Sequence, residues 1–302
     1  MINVTLIGTG GMMPLPNRYL SSCLIEYNGK SILIDCGEGT QVSLRKGKLS
    51  ISKIEAILIT HCHADHVTGL PGLMLTIGNC GRTEPVDIIV PRGQGQIINN
   101  MLYVCGYLPY QVRISELNDS RPCKFNKIDL DITSIPLEHH INCSGFTFEL
   151  KLKPHFIPEN AKKLNIPVKL WKLLHNGQSI KLENKNITPD MVLGSERKPL
   201  KISYVTDTRP NKFINEAVKN SDLFICEGMY GDDEQYENAV AKKHMLFSEA
   251  ARIAHDCFVS ELWLTHYSPS LTNPEEFIEN TRKIFINTYA GYDLMTKKIA
   301  RE

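Results

Sequence analysis

The chain opens on a strand pattern. Ile2, Val4 and Leu6 alternate with polar neighbours and run into Gly8-Thr9-Gly10-Gly11, which predicts a strand ending in a tight turn. CLIEY (23–27) and SILIDCGEGT (31–40) flank Asn28-Gly29, a pair that supplies the positive φ of a two-residue hairpin. A short apolar strand over 56–60 stops at His61, and LPGLMLTIG (70–78) follows as a helix. Alternation continues through DIIVP (87–91), a helical stretch near 96–105, DLDITSIPLEHH (129–140) and GFTFELKL (145–152). Strands resume with KISYVTD (201–207), DLFICE (222–227) and ELWLTH (261–266), and a helix is predicted over 248–258 with Ser248 as its N-cap. Strands and helices interleave in both halves, so the class is α/β with sheets covered by helices.

A length of 302 residues and a hydrophobic content of 42% are ample for a packed core. The net charge of +1 gives no global case for nucleic-acid or membrane binding, but it hides an uneven distribution. Between 151 and 201 eleven Lys/Arg stand against four Asp/Glu, a local charge of +7, so the remainder of the chain sums to −6. Nine cysteines are scattered singly with no C-x-x-C pair, which argues against a disulfide framework or a zinc knuckle and for a reducing compartment. The N-terminus lacks a basic segment followed by an apolar core, and no apolar run approaches the ~20 residues that span a bilayer. A cytoplasmic protein without a membrane partner is therefore expected.

The strongest chemical signal is His61-Cys62-His63-Ala64-Asp65-His66, at the end of a predicted strand. In an extended run His61 and His63 face one side, so both imidazoles can meet one ion; a turn after them lets Asp65 and His66 point to a second. Further ligands are expected at other strand ends: His139 and His140 close DLDITSIPLEHH, Asp207 closes KISYVTD and His266 closes ELWLTH. The favoured assignment puts His61, His63 and His139 on one ion and Asp65, His66 and His266 on the other, with Asp207 bridging. Imidazole-rich, carboxylate-bridged, thiolate-free sites suit Zn2+, with Mn2+ or Fe2+ as competitors. Cys62 is expected to project away from the cluster. Such a pair of ions brings a shared water to a pKa near neutrality and stabilises attacking and leaving oxygens together.

These residues resemble the metallo-β-lactamase fold, and within it the ribonuclease Z family of tRNA 3′-processing endoribonucleases. The resemblance covers nearly the whole chain: LIDCGEGTQ (33–41), ITHCHADHVTGLPGL (59–73), GRTEPVDIIVP (81–91), LEHHINCSGF (137–146), YVTDTRP (204–210), the Glu227 and His244 region, and LTHYS (264–268). It implies an αββα sandwich, two mixed sheets flanked by helices, forming one domain over 1–302 with an inserted basic arm at 151–201. It selects His139 over His140, because Gly145 follows His139 at the family's six-residue spacing. It further implies that Asp65 both binds metal and moves a proton, that His244 donates a proton to the leaving 3′ oxygen, and that Glu227 orients His244.

The activity implied is a two-zinc endoribonuclease that cuts the 3′ trailer from precursor tRNA by attack of a metal-held hydroxide, leaving a 3′-OH. A homodimer is also implied, with the arm of one subunit gripping tRNA served by the other. Lysines on an extension supply phosphate contacts of this kind, and Phe156 and Trp171 can pack the arm together. Two words depart from the family pattern. Asn165-Ile166-Pro167-Val168-Lys169-Leu170 replaces a GIPPGP-like word in the arm, and Pro14-Leu15-Pro16-Asn17-Arg18-Tyr19 keeps only Pro14 and Arg18 of Pro-x-Lys-x-Arg-Asn. Both leave the metal set untouched and bear on tRNA grip and 3′-end discrimination. The competing expectation is a hydrolase of the same fold acting on a small phosphodiester or ester, such as a cyclic nucleotide or a lactone. A metal-bound RNA-binding module without catalysis is disfavoured by the complete hydrolytic set.

Overall fold

The computed structural model describes residues 1–118, 120–182 and 185–301; Glu183, one of the four acidic residues counted in the basic segment, lies outside them. In chain order the strands are β1 (Ile2–Gly8), β2 (Ser22–Tyr27), β3 (Lys30–Ile34), β4 (Ile54–Leu58), β5 (Val86–Val90), β6 (Val112–Glu116), β7 (Lys124–Lys127), β8 (Leu130–Leu137) and β9 (Cys143–Leu150). They continue with β10 (Ile180–Leu182), β11 (Lys185–Ile187), β12 (Leu200–Val205), β13 (Leu223–Glu227), β14 (Leu262–Thr265), β15 (Thr288–Ala290) and β16 (Thr296–Ile299). Two seven-stranded mixed sheets result, ordered β16-β1-β2-β3-β4-β5-β6 and β15-β14-β13-β12-β9-β8-β7. Each is antiparallel at one end and parallel at the other, with β3 to β6 parallel in the first and β12 to β15 parallel in the second.

Burial on both strand faces sets the layering. Leu24, Leu33, Ile57, Ile88 and Val90 pack with Leu70, Leu73, Met74 and Ile77 of the helix Leu70–Asn79, while Leu6, Ile25, Ile32 and Leu58 on the opposite faces are equally buried. A strand buried on both sides needs a layer on each side. The second sheet repeats this: Phe224, Cys226, Leu262 and Leu264 pack with Phe247, Ala250, Ala251 and Ala254 of the helix Phe247–Asp256. Between the helical layers lie large inner side chains such as Phe146, Phe148, Tyr204 and Trp263, all fully buried. At roughly 1.5–3 kcal/mol for each fully buried large apolar side chain, this inner layer contributes strongly to stability. Two mixed sheets flanked by helices are the expected αββα arrangement.

The β2–β3 hairpin turns on Asn28 and Gly29 with φ of 52° and 74°, the left-handed pair its sequence predicts. One expectation fails locally. The helix predicted over 248–258 runs Phe247–Asp256, and Ser248 is not its cap. Ser248 Oγ instead donates to Asp233 Oδ1 at 2.5 Å, and the Leu246 amide is held by the Glu249 carboxylate at 3.0 Å, so a side chain one turn into the helix caps it from inside.

Leu150–Leu200 forms a compact unit of its own, distinct from the unit made of Met1–Glu149 and Lys201–Glu302. Its small core is Ala161, Ile166, Leu174, Ile187 and Val192, onto which Phe156 and Trp171 pack with ring centroids 5.2 Å apart. The departing word gains a local explanation here. Asn165 takes the left-handed turn at φ 53°, Ile166 is buried, Pro167 opens the helix Val168–His175, and Trp171 Nε1 donates to the Ile166 carbonyl at 2.9 Å.

Candidate metal centre

Strand ends deliver the centre. After β4 the chain bends at Thr60, is extended again at His63 (φ −69°, ψ 152°) and then turns into the short helix Ala64–Val67, which carries Asp65 and His66. The parallel register of β12, β13 and β14 aligns Val205 with Cys226 and Glu227 with Thr265, bringing the residues just beyond these strands to one edge. Asp207 follows β12, Glu227 ends β13, and His266 follows β14 in a left-handed conformation at φ 57°. That conformation costs a non-glycine residue roughly 1–2 kcal/mol and turns the ring back toward the other strand ends. His139 arrives from beyond β8, whose end is tied to the Asp207 segment by a bond from the Glu138 amide to Thr208 Oγ1 at 2.8 Å.

The candidate ligand atoms form two main groups, and His244, with Nδ1 4.0 Å from Asp207 Oδ2, completes a third with Asp207 and His266. In the first, His63 Nδ1 lies 3.0 Å from His61 Nε2 and 3.2 Å from His139 Nε2, and Asp207 Oδ2 lies 3.6 Å and 3.7 Å from the same two Nε2 atoms. In the second, His66 Nε2 and His266 Nε2 are 3.1 Å apart, with Asp65 Oδ2 at 3.5 Å and 3.3 Å from them. The other oxygen of Asp207, Oδ1, lies 3.3 Å from His66 Nε2 and 3.1 Å from His266 Nε2. One carboxylate therefore presents one oxygen to each group. Cys62 stays out of both, its amide tied to Gln94 Oε1 at 2.6 Å, and His140 is exposed with its ring 5.3 Å from that of His139.

The donor set fits a pair of cations. Metal–nitrogen bonds of about 2.0–2.1 Å in a tetrahedron place neighbouring ligand atoms about 3.3 Å apart, close to the separations here. Electrostatics agree. Asp35 Oδ2 lies 2.8 Å from His66 Nδ1, which leaves Nε2 facing the cluster; although burial opposes a charge there, Asp207, Asp65 and Asp35 raise this imidazole well above its ordinary value, a negative surrounding that a bound cation would equally relieve. Lone pairs and carboxylate oxygens then converge in a buried space (His61, His66 and His266 all 0% exposed), an arrangement that positive charge stabilises. Burial lowers His139 to about 4, so its imidazole is neutral and able to ligate near pH 7.

Three residues around this cluster, Asp35, Met12 and Gly11, make contacts with it that the sequence did not announce. Asp35, fully buried and at φ 56°, accepts from the Thr60 amide at 2.8 Å as well as from His66. It directly follows an apolar strand, so the strand-end signal that singled out Asp207 also marks it. The Met12 amide donates to Asp65 Oδ2 at 2.7 Å, a main-chain contact that no side-chain pattern announces. Gly11 lies so near His266 that a Cβ there would sit 2.7 Å from its Cε1.

Beside the cluster, His244 Nδ1 lies 3.1 Å and 3.3 Å from the two oxygens of Glu227, whose Oε1 also accepts from the Thr208 amide at 2.6 Å. Burial acts against a charge on His244, but Glu227 and then Asp207 outweigh it and push the imidazole up to about 9. A cavity of about 220 Å³ opens over the cluster, lined by His63, Asp65, Asp207, His244, Met229 and Lys242 among others. A larger cavity of about 480 Å³, around Asp87, Arg113 and Lys127, contains none of the candidate ligand residues.

Comparison with known proteins places this architecture. Ribonuclease Z of Clostridium kluyveri is 48% identical over 300 residues, covering 99% of this chain and 99% of that protein. The chain belongs to the ribonuclease Z family. It also belongs to the family described as anti-Pycsar protein Apyc1, whose model matches residues 2–289. Among solved structures, the short form of human tRNase Z superposes with a TM-score of 0.71 at 24% identity, covering 99% of this chain and 100% of that one. The metallo-β-lactamase fold protein YhfI from Bacillus subtilis superposes with a TM-score of 0.70 at 18% identity, covering 98% of each. At these identities the two structures speak for the metallo-β-lactamase fold. Among the described residues no helix is long and apolar enough to cross a membrane.

Proposed function

We propose that the chain is a zinc-dependent endoribonuclease of the cytoplasm that removes the 3′ trailer from precursor tRNA, acting as a homodimer and leaving a 3′-OH on the tRNA. The observation that carries this reading is the Asp207 carboxylate, with one oxygen toward each ligand group, next to a His244–Glu227 pair. His61, His63 and His139 would hold one zinc ion and Asp65, His66 and His266 the other, with Asp207 shared. When bound, the ions supply a water acidified toward neutrality and positive charge for the phosphorane. Asp65, steadied by the Met12 amide, accepts the proton of the attacking water. His244, with Nδ1 held on Glu227, gives the proton on Nε2 to the departing 3′ oxygen.

The 151–201 segment is the proposed tRNA-gripping arm, inserted in the single 1–302 domain. Its charge of +7 suits phosphate contacts independent of sequence. A second reading, a hydrolase of a small phosphodiester or ester, draws support from the modest cavity of about 220 Å³. Incubating zinc-loaded protein with a precursor tRNA and mapping both product ends separates the two. A single cut next to the discriminator base with a 3′-OH supports the first reading. Intact precursor alongside rapid hydrolysis of a cyclic nucleotide supports the second.

A further inference from the structure

Three consecutive residues beyond β12 each reach a different part of the reaction machinery. Asp207 sits between the two ligand groups, the Thr208 amide donates to Glu227 Oε1, and Arg209 turns its guanidinium to the backbone of His244. Arg209 Nη1 donates to the His244 carbonyl at 2.5 Å and to Glu249 Oε2 at 2.8 Å, while its Nη2 pairs with Glu249 Oε1. The same Glu249 holds the Leu246 amide at 3.0 Å. The stretch carrying His244 is thus gripped at residue 244 and again at residue 246.

The grip has conformational work to do. Lys243, immediately before His244, is left-handed at φ 57° and ψ 51°, a state that costs a non-glycine residue roughly 1–2 kcal/mol. Its carbonyl lies 3.3 Å from His139 Nδ1, and its Nζ donates to the His139 carbonyl at 3.3 Å. The Arg209 amide donates to the Glu138 carbonyl at 3.2 Å, closing a ring of contacts around His139 and His244. The Arg209 and Glu249 side chains are only 13% and 15% exposed, and an ion pair sheltered from water with forked geometry is worth more than a surface pair.

We infer that the Arg209–Glu249 pair is a positioning device that fixes the proton donor His244 at a set distance from the metal-bridging Asp207. This inference rests on the proposed role of His244 as the acid for the leaving oxygen. Neither Arg209 nor Glu249 touches the reacting atoms; both act through the His244 backbone. A misplacement of about 1 Å in such a group lowers turnover by up to about 100-fold.

The test compares two leaving groups. A precursor RNA departs as an alkoxide that needs a proton, whereas bis(p-nitrophenyl) phosphate releases an anion stable without one. Arg209→Ala and Glu249→Ala are expected to lower kcat on RNA by about 10- to 100-fold with KM within about threefold, and the loss on the aryl ester is at least tenfold smaller. Glu249→Gln, whose single oxygen can keep the Leu246 amide and Arg209 Nη1 while its NH2 faces Arg209 Nη2, recovers only part of the RNA activity. Arg209→Lys, which keeps the charge but not the fork, stands in should the alanine variant fail to fold by circular dichroism. Equal losses on both substrates at unchanged metal content, or no loss on either, would overturn the inference. His244→Ala, assayed in parallel, separates the two levels. If it shows equal losses, the acid role itself falls, whereas discrimination by His244→Ala but not by the Arg209 and Glu249 variants sinks only the positioning claim.

Discussion

Asp35→Asn perturbs the centre from behind, through its bond to His66, without replacing any of the proposed ligands. Asp35 Oδ1 accepts from the Thr60 amide at 2.8 Å, and Oδ2 accepts from His66 Nδ1 and Thr60 Oγ1, both at 2.8 Å. Asparagine has one acceptor face. If its oxygen serves the Thr60 amide, its NH2 meets His66 Nδ1, which must give up its proton; the proton moves to Nε2, and the lone pair offered to the metal is gone. If the amide is flipped, its NH2 meets the Thr60 N–H, leaving a buried donor unpaired at about 1–3 kcal/mol. Either arrangement falls in the range seen for outer partners of metal-binding histidines, a 10- to 100-fold loss of affinity or about 1.4–2.7 kcal/mol. Competition with a zinc chelator at fixed pH measures it for the wild type and the variant. The expected outcome is a weakened ion at the His66 group, the other ion retained, and activity partly restored by excess zinc. Affinities within twofold of wild type for both ions would refute the argument.

Other perturbations test neighbouring links. Because His244 is pushed up to about 9, above its ordinary ~6.5, the proposed donor stays protonated until the pH rises through about 9, where turnover should fall. Glu227→Gln should draw this alkaline limb down by a unit or more in a pH–rate profile, and an unmoved limb would contradict the pairing. The sign for stability is the same: a raised folded-state pKa contributes stability that is complete below about pH 6.5 and lost through about pH 9, readable by denaturant titration across that window. Gly11→Ala, whose Cβ would meet the His266 ring at 2.7 Å, should cut kcat by tenfold or more and weaken zinc while leaving the circular dichroism unchanged. Replacing residues 155–195 by a short linker should abolish tight tRNA binding in a filter assay yet spare hydrolysis of bis(p-nitrophenyl) phosphate. Equal loss of both would make that segment structural.

Much of the fold was legible because its central strands are both apolar and sharply bounded. The Asn28-Gly29 hairpin, the stop at His61 and the strands ending near Asp207 and His266 carry local signals that their partners reinforce. The outermost strands were not legible. β6, β7, β15 and β16 are three to five residues long with mixed burial, and pairs such as Ile2 with Ile299 join opposite ends of the chain. The proposed ligands could be read because imidazoles at strand ends are rare in a chain with ten histidines. What surrounds them was hidden for different reasons. Asp35 looks like an ordinary turn residue until His66 folds against it, and the Met12 contact belongs to the backbone. Ser248 has the chemistry of a cap, but Glu249 takes that place because its carboxylate is already anchored by Arg209.

Anomalous diffraction at the zinc edge from crystals of the zinc-loaded protein locates the ions themselves. Two peaks about 3.5–4 Å apart are expected, one among His61, His63 and His139, the other among Asp65, His66 and His266, with Asp207 contacting both. No peak, or a single peak remote from Asp207, would contradict the two-ion centre.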